Sequence, residues 1–290
     1  MLSLHTNTSA LNIQKNLANT QSRLSTSMTR LGTGLRINSA KDDAAGLQIA
    51  TRLQAQTSGM KVAMQNTQNA TSMLQTAEGA FGEVTNILLR MKDLATQAAD
   101  GSSTDDDRTA LQSEYDALGK ELFNIMSNTS YGNEKLLDKT DGKLAGSITF
   151  QIGASAEEKM DFDVSTGITA IDTAFVGLST QYAGAPAGPG AGELVTAAGA
   201  NGMIDKINNA LADVGTVRSS LGAVQNRLEH TFNNLANMVG NTTDASGRIM
   251  DTDYASESSN MSSQQILMQA STAMLKQASS MNQMVLSLIQ

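Results

Sequence analysis

The sequence predicts a mainly α protein in which long coiled-coil helical rods run out along one half of the chain and return along the other, with a small β-hairpin region between them. Three observations predict it. Apolar residues recur in alternating steps of three and four through most of the 290 residues. Aromatic residues are only 3 % of the chain and Trp is absent, which favours helices packed side by side through small aliphatic groups over a thick core of rings. One short stretch in the middle switches to period two.

The elements follow in order. Leu17, Leu24 and Leu31 stand seven apart and mark one face of a first helix that needs a partner. The stretch TRLGTGLRINSAKDDAAG (29–46) interrupts the pattern. Gly32 and Gly34 end the first helix, and Ser39 with Asp42 three residues on fits a capping box that opens the next, so Gly32, Gly34, Asn38, Ser39 and Asp42 form a joint. From Ala44 to Ala99 the seam Met60, Ala63, Thr67, Ala70, Leu74, Ala77, Phe81, Val84, Leu88, Met91, Ala95, Ala98 predicts a rod on the order of 80 Å long. Thr104 and Asp107 cap a third helix, whose first turn carries Asp105–Asp107 where the helix dipole favours them. SITFQIG and KMDFDV, separated by a polar gap, predict a hairpin. Pro186 and Pro189 place an exposed loop next. A second seam runs through Ile204, Ile207, Leu211, Val214, Val217, Leu221, Val224, Leu228, Phe232, Leu235 and Val239, and its two successive steps of three predict a local phase shift. Leu267, Met274, Met281 and Leu288, again seven apart, mark the face of a last helix.

Charge is unevenly placed. The net charge is −8, yet residues 1–41 hold five basic and no acidic residues, and residues 258–290 hold Lys276 alone. Twenty basic residues less these six leave 14 against 28 acidic ones between Asp42 and Glu257, or −14. An acidic middle argues against a nucleic-acid partner, and a last helix with one cation argues against a membrane surface. No cationic n-region precedes an apolar core at the start and no long apolar run occurs, so neither a cleaved signal peptide nor a membrane span is expected.

Catalytic chemistry has no support in the sequence. The GTG at 32–34 is not followed by GK[ST] and has no preceding strand, which excludes a phosphate loop. His5 and His230 are the only imidazoles and Cys is absent. Asp105–Asp107, and Asp251 and Asp253 with Glu257, lack calcium-loop spacing and read as helix-start acids. No enzyme, cofactor or metal is expected.

With these residues in view the chain resembles bacterial flagellin. The motifs that carry the resemblance are TRLGTGLRINSAKDDAAGLQIA (29–50), FQIGA (150–154), LGAVQNRLEHTFNNL (221–235), GRIMDTDYASESSNM (247–261) and QILMQASTAMLKQA (265–278). The resemblance implies that the two ends pair as antiparallel coiled coils. Residues 1–43 with 250–290 then form an inner terminal domain, 44–165 with 200–249 a middle rod bearing the hairpin, and 166–199 a short variable outer loop region. It implies a structural subunit of the extracellular flagellar filament, self-assembling through Leu17, Leu24, Leu31, Leu267, Met274, Met281 and Leu288. It further implies export without a cleaved signal peptide, a chaperone on the C-terminal segment, cap and hook-associated partners, and Toll-like receptor 5 meeting Arg90 and Leu94 in LLRMKDLATQAA together with Glu114. A hook-associated junction protein or a coiled-coil scaffold are the alternatives. Because ordering a residue costs ~1–2 kcal/mol, a terminal helix of this composition is not secured by one apolar stripe, and its folding is expected to be coupled to polymerisation.

Overall fold

The structure, a computed structural model, describes residues 7–182 and 192–287, with side chains to Met281. His5, both prolines and Leu288 lie outside the described residues. The elements are α1 (Thr8–Thr33), α2 (Ala44–Ala99), α3 (Asp105–Asn128), β1 (Ser130–Tyr131), β2 (Glu134–Lys135), a short 3-10 turn (Lys143–Ala145), β3 (Ile148–Gln151), β4 (Lys159–Phe162), α4 (Ser165–Leu178), α5 (Ala197–Met250) and α6 (Tyr254–Ser287). They gather into two compact units, one from Met1–Thr57 and Gly240–Gln290, the other from Ser58–Val239. The boundary falls inside α2 and α5, away from the joints at which the sequence places its division.

In the 58–239 unit, all twelve residues of the expected α2 seam are buried. They face a seam on α5 whose register differs from expectation. The buried positions from Ala200 to Leu228 are Ala200, Met203, Ile207, Ala210, Val214, Val217, Leu221, Val224 and Leu228, an unbroken alternation of three and four, and Leu235 follows one heptad on. No phase shift is present: Ala210 takes the inward position, and Leu211 packs partly buried beside it.

The expected capping box on α3 is formed, with the Asp107 amide donating to Thr104 Oγ1 (3.2 Å) and the Thr104 amide to Asp107 Oδ2 (3.0 Å). Strands β3 and β4 pair antiparallel with Ile148 opposite Phe162 and Gln151 opposite Lys159, as the period-two pattern predicts. The tip of this hairpin lies so near α2 that a Cβ on Gly59 would stand 2.8 Å from the Ala154 Cβ. Part of the expected outer loop is the helix α4, which buries Ile168, Ile171, Phe175 and Leu178 in the common core. Its last carbonyl accepts the Tyr115 hydroxyl (3.1 Å), and Tyr182 stacks edge-on against Phe175 and Phe123.

In the other unit α1 packs against α6. The pairing is antiparallel: Asn7 Nδ2 donates to the Ala278 carbonyl (3.1 Å) at one end, and Arg30 meets Glu257 (3.7 Å) at the other. The less exposed residues of α1 are Ala10, Ile13, Leu17, Thr20, Leu24, Ser27 and Leu31, which form one heptad stripe. Those of α6 are Glu257, Met261, Gln264, Met268, Ser271, Leu275 and Ala278, with Ser280 beside the last of them. Hydroxyls dense on α1 turn back on the helix, as Thr20, Thr26, Thr29 and Thr33 each donate to the carbonyl four residues earlier.

Candidate functional site

The joint after α1 begins at Gly34, whose φ of 75° is left-handed and whose N–H donates to the Arg30 carbonyl (2.8 Å), the usual glycine end of a helix. Gly32, by contrast, is an ordinary helical residue with open space around it. The Asp42 carboxylate collects the Asn38 amide (3.1 Å), the Ser39 amide (3.0 Å) and the Ser39 hydroxyl (3.2 Å), which folds 38–42 into a tight turn. These N–H donors, with the hydroxyl and Arg30 adding to them, hold its pKa below the ordinary carboxylate value. The expected Ser39 cap does not open α2. That role falls to Asp43, whose Oδ1 accepts the Gly46 amide (2.9 Å) and whose carbonyl accepts the Leu47 amide (3.0 Å).

A second joint, between α5 and α6, is fastened to the first. The Arg36 amide donates to the Met250 carbonyl (2.6 Å), the Thr252 amide to the Gly34 carbonyl (2.9 Å), and Leu35 bridges Asp251 as an antiparallel pair. The Arg36 guanidinium also donates to the Ile249 carbonyl (2.8 Å), placing a cation on the negative end of α5. Sequence reasoning missed Arg36 and Asp43. Asp43 is visible in principle as an acid just before a helical run, whereas the partners of Arg36 are more than two hundred residues away.

The seven expected assembly residues divide. Leu17, Leu24 and Leu31 lie on the stripe of α1 that is covered within the chain. Leu267, Met274 and Met281 do not meet it: they are 50 %, 61 % and 52 % exposed, and Ile266 beside them is 66 % exposed. Helix α6 therefore carries two apolar heptad stripes. Met261, Met268 and Leu275 are turned toward α1, and Leu267, Met274 and Met281 are left uncovered.

The expected receptor residues lie in the 58–239 unit. Arg90 reaches from α2 to Glu114 on α3, with Nε and Nη2 both donating to Oε1 (2.8 and 2.6 Å), and both side chains are exposed. Leu94 is buried at 2 % exposure on the inward seam, so a partner resting on this surface meets the ion pair and not Leu94.

An open groove of about 740 Å³ between α2 and α5 is lined by side chains such as Thr67, Asn69, Gln225, Asn226 and Phe232, with Glu229 as its one ionisable group. Among the described residues no cluster of three or more His, Asp or Glu could hold a metal, and no helix is long and apolar enough to cross a membrane.

Comparison with known proteins gives two family models. Residues 4–141 match the bacterial flagellin N-terminal helical region and residues 204–289 the bacterial flagellin C-terminal helical region. Among similar proteins, polar flagellin F of Vibrio parahaemolyticus is 48 % identical over 165 residues, 57 % of this chain and 43 % of that one. The B-type flagellin of Pseudomonas aeruginosa is 49 % identical over 163 residues, 56 % of this chain and 33 % of that one. The chain thus spans less than half the length of these relatives. Among solved structures, Bacillus cereus flagellin is 32 % identical with a TM-score of 0.47, covering 59 % of this chain and 88 % of that one. A putative flagellar hook-associated protein from Vibrio parahaemolyticus, at 15 % identity and a TM-score of 0.56, covers 72 % of this chain and all of that one, a similarity of fold alone.

Proposed function

The chain belongs to the bacterial flagellin family, a family of structural proteins and not of enzymes, and from that premise we propose that it is a subunit that polymerises with its own copies into the extracellular flagellar filament of a swimming bacterium. The observation that carries the reading is the second stripe of α6. Leu267, Met274 and Met281 repeat every seven residues, stand exposed, and lie on a helix whose other face is already filled by α1. Burying each such side chain is worth roughly 1.5–3 kcal/mol, and a copy of the same chain supplies the stripe that covers it. Helices with half their apolar surface uncovered are secured only in the polymer, so folding of the ends is coupled to assembly. Leu17, Leu24 and Leu31 serve assembly indirectly, by holding α1 on α6. The joints built on Gly34, Asn38, Ser39 and Asp42 connect this assembly region to the rest of the chain, with Gly32 as the helical residue leading into them.

The family also supports partners that act before and after assembly: an export chaperone on the C-terminal segment, the filament cap, hook-associated proteins, and export without a cleaved signal peptide. For Toll-like receptor 5, the exposed Arg90–Glu114 pair is the surface offered. The hook-associated reading rests on fold alone and is not favoured by sequence. Negative-stain microscopy of the chain mixed with short filament seeds tests the proposal. The full chain extends seeds and a chain ending at Asp251 does not. A full chain that stops at a small oligomer would return the molecule to the junction-protein or scaffold class.

A further inference from the structure

The described methionines differ widely in exposure, and Met64, Met238, Met250, Met261 and Met268 are half-buried. Met60, Met73, Met91, Met126, Met160 and Met203 are buried in the 58–239 unit, whereas Met28, Met274 and Met281 are more than half exposed. Two of those three sit on one heptad position of one helix, on the stripe that none of the described residues covers. There is no cysteine, so thioethers are the sulfur that this chain offers to an oxidant.

We propose that Met274 and Met281 are a reversible oxidation site at which hydrogen peroxide or hypochlorous acid inactivates the unassembled chain for polymerisation. The proposal rests on the assembly role of the α6 stripe. With peroxide, a sulfur lone pair attacks one peroxide oxygen, an S–O bond forms as the O–O bond breaks, and the second oxygen leaves as hydroxide, which takes the proton of the sulfur-bound hydroxyl and becomes water. Sulfur loses two electrons and the peroxide gains them. The product is a methionine sulfoxide, whose polar oxygen is hydrated in the free chain and loses that hydration when a second copy covers the stripe. The geometry also makes the reaction selective for state: the stripe is open in the free chain and closed in the polymer.

The test uses the full chain treated with graded hydrogen peroxide, peptide mass spectrometry to place the sulfoxides, and seeded elongation before and after treatment. Sulfoxide is expected at Met274, Met281 and Met28 ahead of the buried methionines, and more slowly at Met274 and Met281 in formed filaments. Elongation is expected to slow about tenfold or more and to recover after incubation with both methionine sulfoxide reductases. Each variant is compared with its own untreated sample. The Met28→Leu chain should lose as much on oxidation as the parent, and the Met274→Leu/Met281→Leu chain much less. Oxidised parent chain that elongates at the untreated rate would overturn the proposal, as would an equal loss in the double variant. Failure of the untreated parent to extend seeds would show itself without peroxide, and it would remove the assembly reading on which the proposal stands.

Discussion

At the scale of the residue, the chain depends on a few positions that side-chain chemistry leaves little freedom. Gly34 holds φ at 75°, and a Cβ there would stand 3.2 Å from the Tyr254 hydroxyl oxygen. Left-handed backbone costs a residue with a Cβ roughly 1–2 kcal/mol, so filaments of the Gly34→Ala chain should dissociate at a lower temperature than the parent, read by light scattering. Carboxylates set a pH dependence. Asp107 is lowered chiefly by the Thr104 hydroxyl and amide, and Asp138 by the Thr140 amide. Their folded pKa values lie below the unfolded value of about 3.9, so their contribution is complete above that pH. As the pH falls through the unfolded value toward the folded one, the unfolded chain takes up the proton first and the contribution is lost. Urea unfolding followed by circular dichroism should therefore vary little from these groups between about pH 5 and 8 and weaken below about 4, with a shallower fall in the Asp107→Asn chain. Gly34 and the Thr104–Asp107 box are readable because caps are local, whereas the Ser39–Asp42 pairing that looks like a capping box closes the turn at 38–42, and the cap is supplied one residue beyond it by Asp43.

At the scale of the element, the seams divide the legible from the illegible. The α2 stripe could be read position by position because Met60, Leu74, Phe81, Val84, Leu88 and Met91 fix the three-four phase, and the alanines and Thr67 between them keep it. The α5 stripe was misread at one turn, where Leu211 outweighs its neighbour Ala210 in hydrophobicity although the alanine is the residue the facing helix has room for. This difference is measurable. Ala210→Leu forces three extra carbons into a filled position and should destabilise the chain by about 1–3 kcal/mol in urea unfolding, and a neutral result would contradict the register. Helix α4 was hidden by the Gly- and Pro-rich sequence that follows it, although Ile168, Ile171, Phe175 and Leu178 carry its three-four spacing. On α6 the heptad repeat of Leu267, Met274 and Met281 was found, but a second repeat at Met261, Met268 and Leu275 has the same period. Periodicity shows that a face must be covered and does not say by which partner.

At the scale of the whole molecule, charge and uncovered apolar surface pull in opposite directions. Copies that each carry −14 between Asp42 and Glu257 repel one another, while in the proposed assembly the stripe on α6 draws them together. Added salt screens the first and sulfate strengthens the second, so seeded elongation should quicken with sodium chloride and more with sodium sulfate at equal ionic strength. A steady slowing with either salt would count against this balance. The clasp between the two joints, by Arg36, Gly34, Leu35 and the carbonyls and amides at 249–252, lies beyond sequence reading because it joins segments from opposite ends of the chain. Seeded elongation of the Leu267→Asp/Met274→Asp chain, followed by light scattering, tests whether the uncovered stripe of α6 is the surface that polymerises. Elongation should be abolished while the melting of the 58–239 unit, followed by circular dichroism, is unchanged; elongation at the parental rate would rule the stripe out as that surface.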